Sequence, residues 1–403
     1  MGKAIIVGAG PAGASLAYLL CHRGIETVLI ERRADFSREF RGEVLTPSGI
    51  DALVQMGLDD LLPTLPTASI PEFTMYMNGK RLFSEELPAE ALHGHLPLAI
   101  SQPAFLEAVI ARCQSQPNFT LHQGVSISEL TNSGGRVVGV KLKTAEHEDT
   151  IDADLVIGAD GRNSMVRRHL QLTPTHASPP MDIVWCKLPC PEDWVGVRAY
   201  LGRGHLLLAY RTWDDSLQLG WVILKGTFGE LRERGIEAWI GEMANHVSGD
   251  LATHLREHIE DIRKPFLLEA VSDRVTPWSQ PGAVLLGDAA HTMSPVAAQG
   301  VNVALRDSIV AANHLTEPLS VAHPDRDAID TALQTIETER TPELETLQEM
   351  QSQPPKLVLS RAFWGEPLRQ FVALLLKRPG FRMKAAQRAA PFAFGIDPVE
   401  LKV

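Results

Sequence analysis

Short apolar runs alternate with amphipathic stretches along this chain, the pattern of strands that feed helices across a largely parallel sheet. Lys3-Ala4-Ile5-Ile6-Val7 is predicted to be a buried strand. It runs into the turn Gly8 to Gly13, and an amphipathic helix follows from Ala14 to Arg23, with Gly24 as its stop. Thr27-Val28-Leu29-Ile30 reads as a second strand that ends on Glu31. Two later runs repeat the strand-to-turn pattern. Ile151 to Ile157 leads into Gly158-Ala159-Asp160-Gly161, and Gly282 to Leu286 leads into Gly287-Asp288-Ala289-Ala290-His291. A helix is expected from Val303 to His314. From about Met181 to Phe266 the period shortens towards two. Val197 to Leu201 and His205 to Tyr210 flank Gly202-Arg203-Gly204 as a hairpin. Leu217 to Lys225 is another strand, with Leu217, Leu219, Trp221 and Ile223 on one face, and residues 226–254 turn helical.

The first unit has the parts of a dinucleotide cradle. Gly8 permits the tight turn, Gly10 lets backbone approach a pyrophosphate, and Gly13 lets the helix pack closely on the strand. Pro11 and Ala12 complete the turn. The helix N-terminus offers unpaired N–H groups to the phosphates. Glu31, twenty-one residues after Gly10, is placed to accept from a ribose hydroxyl, and Arg32 adjoins it. This unit alone leaves FAD and NAD both open, although Glu31 argues against a 2′-phosphate.

The other two units favour FAD. Asp160 and Gly161 precede a helix start with Ser164 near its cap, a segment that a simple NAD dehydrogenase has no reason to carry. Asp288, at a strand end, can accept from a ribityl hydroxyl. Gly300, Val301 and Asn302 open a helix whose N–H groups can face a flavin carbonyl and stabilise negative charge on the reduced ring.

The ordered set GAGPAG with Glu31, GADGRNSMVR and GDAAHTMSPVAAQGVN resembles the class A flavoprotein monooxygenases, the p-hydroxybenzoate hydroxylase-like group, up to about Leu315. Smaller matches support it: Arg41 and Leu45 with Gly57 beyond, Gln102 and Leu106, and Arg274-Val275 with Trp278. The resemblance implies that Gly8, Gly10, Gly13 and Glu31 hold the ADP half of FAD, and that Arg41 and Gln102 approach the flavin. It assigns Asp160 and Gly161 to a motif shared by FAD and pyridine nucleotide, and Gly287 and Asp288 to the ribityl chain. Pro295, Gly300, Val301 and Asn302 would flank the isoalloxazine. Many members have glycine where this chain has Ala298, so its methyl is expected to narrow the space near the ring. NAD(P)H would be a cosubstrate without a fold of its own, since no second GxGxxG is present. The implied reaction is hydroxylation of an aromatic or polycyclic small molecule by O2, through a flavin C4a-hydroperoxide that needs a dry pocket.

The implied fold is α/β: a Rossmann-like FAD-binding domain (1–70, 96–175 and 270–345), an interleaved, mainly antiparallel β substrate domain (71–95 and 176–269), and a C-terminal helical tail (346–403). The tail is expected to be helical up to breaks at Pro379-Gly380 and Pro391. The apolar inner face of the substrate sheet is expected to cover the flavin. Tyr200, His205, Tyr210 and Arg211 are candidates for a base by location, but each is more commonly a core or solvated residue, so none is assigned as catalytic. His291 is read as structural.

Composition agrees. A chain of 403 residues with 44% apolar and 22% charged residues suits two soluble domains. The N-terminus reads without a signal peptide and no run is long enough to span a bilayer, so a cytoplasmic location is expected. A net charge of −11 excludes a general nucleic-acid role. Cys21, Cys113, Cys186 and Cys190 are read as reduced thiols, and no metal site is expected. From Lys356 to Arg388 eight basic side chains face one acid, Glu366, around the apolar run Phe371 to Leu376. We read this as a helix docked on the body with its cations in water, in preference to a membrane-surface contact. Competing functions are a flavin halogenase or prenyl-chain reductase, a flavin-binding protein without turnover, and a plain NAD dehydrogenase. The first lacks support because Leu219-Gly220-Trp221-Val222-Ile223-Leu224 keeps one Trp and the Ile of the usual signature but not its first aromatic or its proline.

Overall fold

The computed structural model describes residues 1–37, 44–143, 148–176, 179–202, 205–359 and 365–403. Its central sheet forms as the apolar runs require. Lys3–Val7 lies between Glu26–Glu31 and Leu155–Gly158, all parallel, with Ile5 opposite both Val28 and Val156. Phe119–Gln123 and Ala283–Leu285 extend it in parallel on the two sides, and Ser279–Gln280 closes one edge antiparallel. The chain leaves the central strand to one side and later returns to the other. That reversal opens a crevice at the strand C-termini, where Gly8, Glu31 and Ala159 lie.

Two helices cover this crevice from behind. Pro11–Cys21 is buried along almost its whole length, and Gln299–Leu319 packs against it. The Ser308 hydroxyl donates to the Ala12 carbonyl at 2.9 Å. A small antiparallel sheet, Ser126–Ser133, Arg136–Lys143 and Glu148–Asp152, packs against the central strands Leu155–Gly158 and Glu26–Glu31. It was not foreseen, although Gly134 and Gly135, both at positive φ, mark its first turn.

The second layer is a seven-stranded sheet in the order Arg263–Glu269, Met181–Pro189, Ser216–Leu224, His205–Arg211, Val197–Gly202, Glu72–Met77, Lys80–Glu86. It is antiparallel except where Val197–Gly202 runs parallel to Glu72–Met77. The foreseen hairpin pairs Val197 with Tyr210; Arg203 and Gly204 at its tip lie outside the described residues.

The two faces of this sheet meet different partners. Leu217, Leu219, Trp221 and Ile223 do not cover the cavity but pack under the helices Ile236–Ala244 and Gly249–Glu257. Those helices need an apolar platform of their own. The face towards the central layer is built by Ile183, Trp185, Tyr210 and Val222 instead.

In the tail, one helix, Arg326–Val358, runs across residue 346, and Gly365–Leu376 and Pro379–Phe394 follow. Pro379 opens a helix and Pro391 lies within that helix's last turn. A proline so near the end forfeits one hydrogen bond, and the break comes at Gly395, whose φ is +78°.

Candidate functional site

A cavity of about 1290 Å³ runs from the glycine turn to the underside of the seven-stranded sheet. Its size and continuity suit a long ligand at one end and a second molecule at the other.

The first end is shaped by close backbone packing. A methyl on Gly8, whose φ is +102°, would sit 2.5 Å from the Ala159 carbonyl oxygen, and one on Gly13 would drive into the Gly8 carbonyl. The turn is held by Gly8 N–H donating to Ile30 O at 2.7 Å. No side chain caps the helix start at Gly10, so its first N–H groups remain for a ligand. Glu31 is buried: its Oε2 accepts from Ala9 N at 2.9 Å and its Oε1 from Arg33 N at 3.0 Å. The carboxylate therefore stiffens the turn at the position foreseen for ribose contact.

At the second unit, the structure assigns Asp160 a partner that the sequence did not reveal. Its carboxylate accepts from Ser164 Oγ at 2.5 Å, from Met165 N at 2.6 Å and from Val166 N at 3.3 Å. It thereby supports the start of the short helix Met165–His169, whose N-cap is Ser164, with Ser164 Oγ accepting from Arg167 N at 2.9 Å. Burial pushes its carboxyl up, while these bonds pull it down.

The third unit carries backbone strain. Ala297 and Ala298 are both left-handed, with φ of +60° and +53°. Asn302 Nδ2 donates to Ala298 O at 2.8 Å and to Val44 O at 3.1 Å, and its Oδ1 accepts from Thr46 N at 2.9 Å. Gln299 Nε2 ties Ala297 O to Phe392 O in the C-terminal helix. The helix from Gln299 has no side-chain cap, which leaves the N–H groups near Gly300 and Val301 to a ligand. An L-residue in the left-handed region costs about 1–2 kcal/mol, partly offset because glycine is freer when unfolded. Ala298→Gly is therefore expected to stabilise the ligand-free protein by about 0.5 kcal/mol. Thermal melting checks this, and a lowered midpoint would refute the strain assignment.

Of the foreseen residues, Gly8, Gly10, Pro11, Ala12, Glu31, Arg32, Gln102, Asp160, Gly161, Asp288, Pro295, Gly300 and Val301 line the cavity together. Gly13, Gly287 and Asn302 stand behind the wall as supports. Arg41 lies outside the described residues.

The second end is apolar. Phe73, Trp185, Val197, Leu208, Phe266 and Leu268 line it, with Tyr210 among them. Strand alternation sorts the four base candidates. Tyr210 faces the cavity. Tyr200 is buried on the other face, stacked on Tyr76 and accepting from Ser248 Oγ at 3.3 Å; burial raises its pKa to about 12. His205 stacks between His246 and Trp221 on that same far side, and Arg211 pairs with Asp215 at the surface.

The sequence reading missed a buried charge chain behind the site. Asp307 Oδ2 meets His291 Nε2 at 2.8 Å and accepts from Gly287 N at 3.3 Å, while Asp307 Oδ1 accepts from Arg340 Nε at 2.8 Å. Arg340 also pairs with Glu343, and Glu343 Oε1 meets Arg306 at 2.9 Å and Ile396 N at 3.0 Å. All five side chains are buried. Burial alone would raise the Asp307 carboxyl, but His291 and Arg340 outweigh it and bring it down to about 2. A hint in the sequence is the charged pair Arg306-Asp307 within the largely apolar run Val303 to Ala312. His291 braces this chain from 1% exposure.

Comparison with known proteins agrees with this geometry. A family model described as an FAD binding domain matches residues 2–349. The 6-methylpretetramide 4-monooxygenase of Streptomyces rimosus is 30% identical over 379 residues, covering 94% of this chain and 89% of that protein. A kynurenine 3-monooxygenase of Phaeosphaeria nodorum is 25% identical, covering 86% of this chain and 76% of that protein. The crystal structure of a probable FAD-dependent monooxygenase from Pseudomonas aeruginosa has the same fold, with a TM-score of 0.75 at 22% identity, covering 89% of this chain and 97% of that one.

Proposed function

The chain belongs to the FAD-binding family of flavoprotein monooxygenases, and from that premise we propose that it uses NAD(P)H and O2 to hydroxylate an aromatic or polycyclic small molecule. The observation that carries this reading is the single cavity joining the glycine turn to an apolar chamber. FAD fits the first end on the observations above: the close backbone packing at Gly8 and Gly13 sets the tight turn on which Gly8, Gly10, Pro11 and Ala12 line the cavity. Two uncapped helix starts, at Gly10 and Ala298, offer N–H groups to its two ends. The bound flavin supplies the redox and oxygen-transfer chemistry.

The chain's own residues do the rest. Glu31 stiffens the turn that would hold the ADP half. Asp160 orders the second turn through its bonds to Ser164 Oγ and Met165 N, and Asp288 borders the cavity where the ribityl chain would run. Asn302 and Gln299 fix the loop from Pro295 to Val301 over the ring position. Trp185, Phe266 and Leu268 exclude water from the chamber, which favours flat apolar substrates and protects oxygen transfer from hydrolytic loss. Tyr210 is the phenol on that wall, placed to contact a substrate ring.

The test is NAD(P)H consumption by the flavin-loaded chain with a panel of phenolic and polycyclic compounds, with mass analysis of products. The expected result is stimulated consumption and a product that gains one oxygen from O2. Stimulated consumption with no oxygenated product from any compound would overturn the hydroxylation reading.

A further inference from the structure

The C-terminal helices expose what a soluble body normally covers. Of the ten large apolar side chains exposed among the described residues, five fall between Leu368 and Met383: Leu368, Phe371, Leu374, Phe381 and Met383, from 37% to 62% exposed. The helix Gly365–Leu376, expected to dock on the body, does so through Gly365, Arg369 and Ala373, spaced four apart, with Arg369 donating to Val358 O at 3.3 Å. That turns Leu368, Phe371 and Leu374, spaced three apart, outward as one ridge.

Cations frame the ridge. Lys377, Arg378, Lys384 and Arg388 are exposed, and none has an acidic partner among the described residues. Arg382 is the exception: it pairs with Glu85 and lies 5.5 Å from the Phe83 ring centroid, pinning the helix pair to the edge strand Lys80–Glu86. The rest of the molecule is acidic, with −11 overall. Apolar side chains ringed by unpaired cations on a helix, in an otherwise acidic body, match the form of an interfacial membrane contact. No described helix is long and apolar enough to cross a membrane, so the fit is to its surface.

We propose that Leu368, Phe371, Leu374, Phe381 and Met383, with Lys377, Arg378, Lys384 and Arg388, form a docking surface for an anionic phospholipid bilayer. A second copy of the chain fits less well, because a two-fold contact through this patch would bring like charges together. The acidic remainder is repelled by the same bilayer, so the patch alone approaches and the orientation is fixed. The proposal does not depend on the reaction above, and its test does not use turnover.

The experiment is co-sedimentation of the full chain with phosphatidylcholine vesicles, with and without phosphatidylserine, at low and high salt. Binding is expected only with phosphatidylserine and is expected to weaken at high salt. Each cation near the surface contributes roughly fivefold, so Lys377→Glu with Arg378→Glu should lower partitioning by about 25-fold or more. Phe371→Ser with Leu374→Ser should lower it by about tenfold or more. Unchanged melting temperatures establish that both variants fold; Phe371→Leu is a milder second probe if the serine pair does not. Equal binding to both vesicle types, no binding to either, or unaffected partitioning in folded variants would overturn the proposal. So would a stable dimer in solution that the Phe371 and Leu374 changes dissociate.

Discussion

Gly13→Ala is expected to abolish FAD uptake at ordinary cofactor concentrations. The new methyl would drive into the Gly8 carbonyl, and that carbonyl cannot retreat. Gly8 is held at φ +102° by its own bond to Ile30 O and by backbone contact with Ala159. Relief must come from moving the helix Pro11–Cys21 off the strand, which displaces the N–H groups that would face the pyrophosphate. Overpacking of this kind costs about 3 kcal/mol, and that displacement would weaken FAD affinity by about a hundredfold or more. Flavin absorbance after gel filtration and titration of the apoprotein read the outcome. Gly57→Ala is the control. Gly57 also has positive φ, +70°, but nothing lies within 4 Å of the new carbon. That change should cost about 1 kcal/mol at the helix end and leave FAD binding intact. Tight FAD binding by Gly13→Ala would refute the assignment of this turn.

The second large effect is expected from Arg340→Met. Arg340 is 1% exposed and bridges Asp307 to Glu343. Its removal strands two buried carboxylates against one remaining guanidinium, Arg306, and a histidine. Breaking a buried pair in this way costs about 3–5 kcal/mol. The loss should also reach the flavin, because Asp307 holds Gly287 N from behind the turn that bears Asp288. Asp307→Leu with Arg340→Met should recover part of the stability, since two apolar residues leave no charge stranded between them. Denaturant unfolding of the singles and the double closes the cycle; additive losses would refute the coupling.

The same pair predicts a pH signature. The Asp307 carboxyl titrates near 2 when folded, below its ordinary 3.8. Its stabilising contribution is therefore fully present above about 3.8 and lost as pH falls from there towards 2. Asp307→Asn should remove that component of acid unfolding, read as a smaller loss of stability between about pH 4 and pH 2.

How far the sequence reached depends on the kind of contact. The glycine turn and the position of Glu31 were legible because strand, turn, helix and terminal acid are contiguous, but the bonds of Glu31 to Ala9 N and Arg33 N were not. The seven-stranded sheet was legible only as strands. Leu217, Leu219, Trp221 and Ile223 were visible as an apolar face, but period-two alternation gives a face without saying what covers it. In this protein two helices cover it, and the cavity takes the other face. Asp160 is a similar case. Its position was plain, but not its bonds to Met165 N and Val166 N, which depend on how the following turn folds back.

The sequence by itself determined the glycine turn and the class of fold. Those rest on local backbone demands, such as a left-handed turn, a missing Cβ or an apolar strand, and a residue's identity records such demands directly. The tertiary structure alone decided which phenol lines the chamber, which charges pair in the interior, and which ridge of the helix Gly365–Leu376 meets solvent. Each joins residues far apart in the chain: Asp307 with Arg340, Gln299 with Phe392, Arg382 with Glu85. A buried charge or an outward phenylalanine is favourable or costly only through the neighbours that folding brings to it, and no single stretch of the polypeptide carries that information.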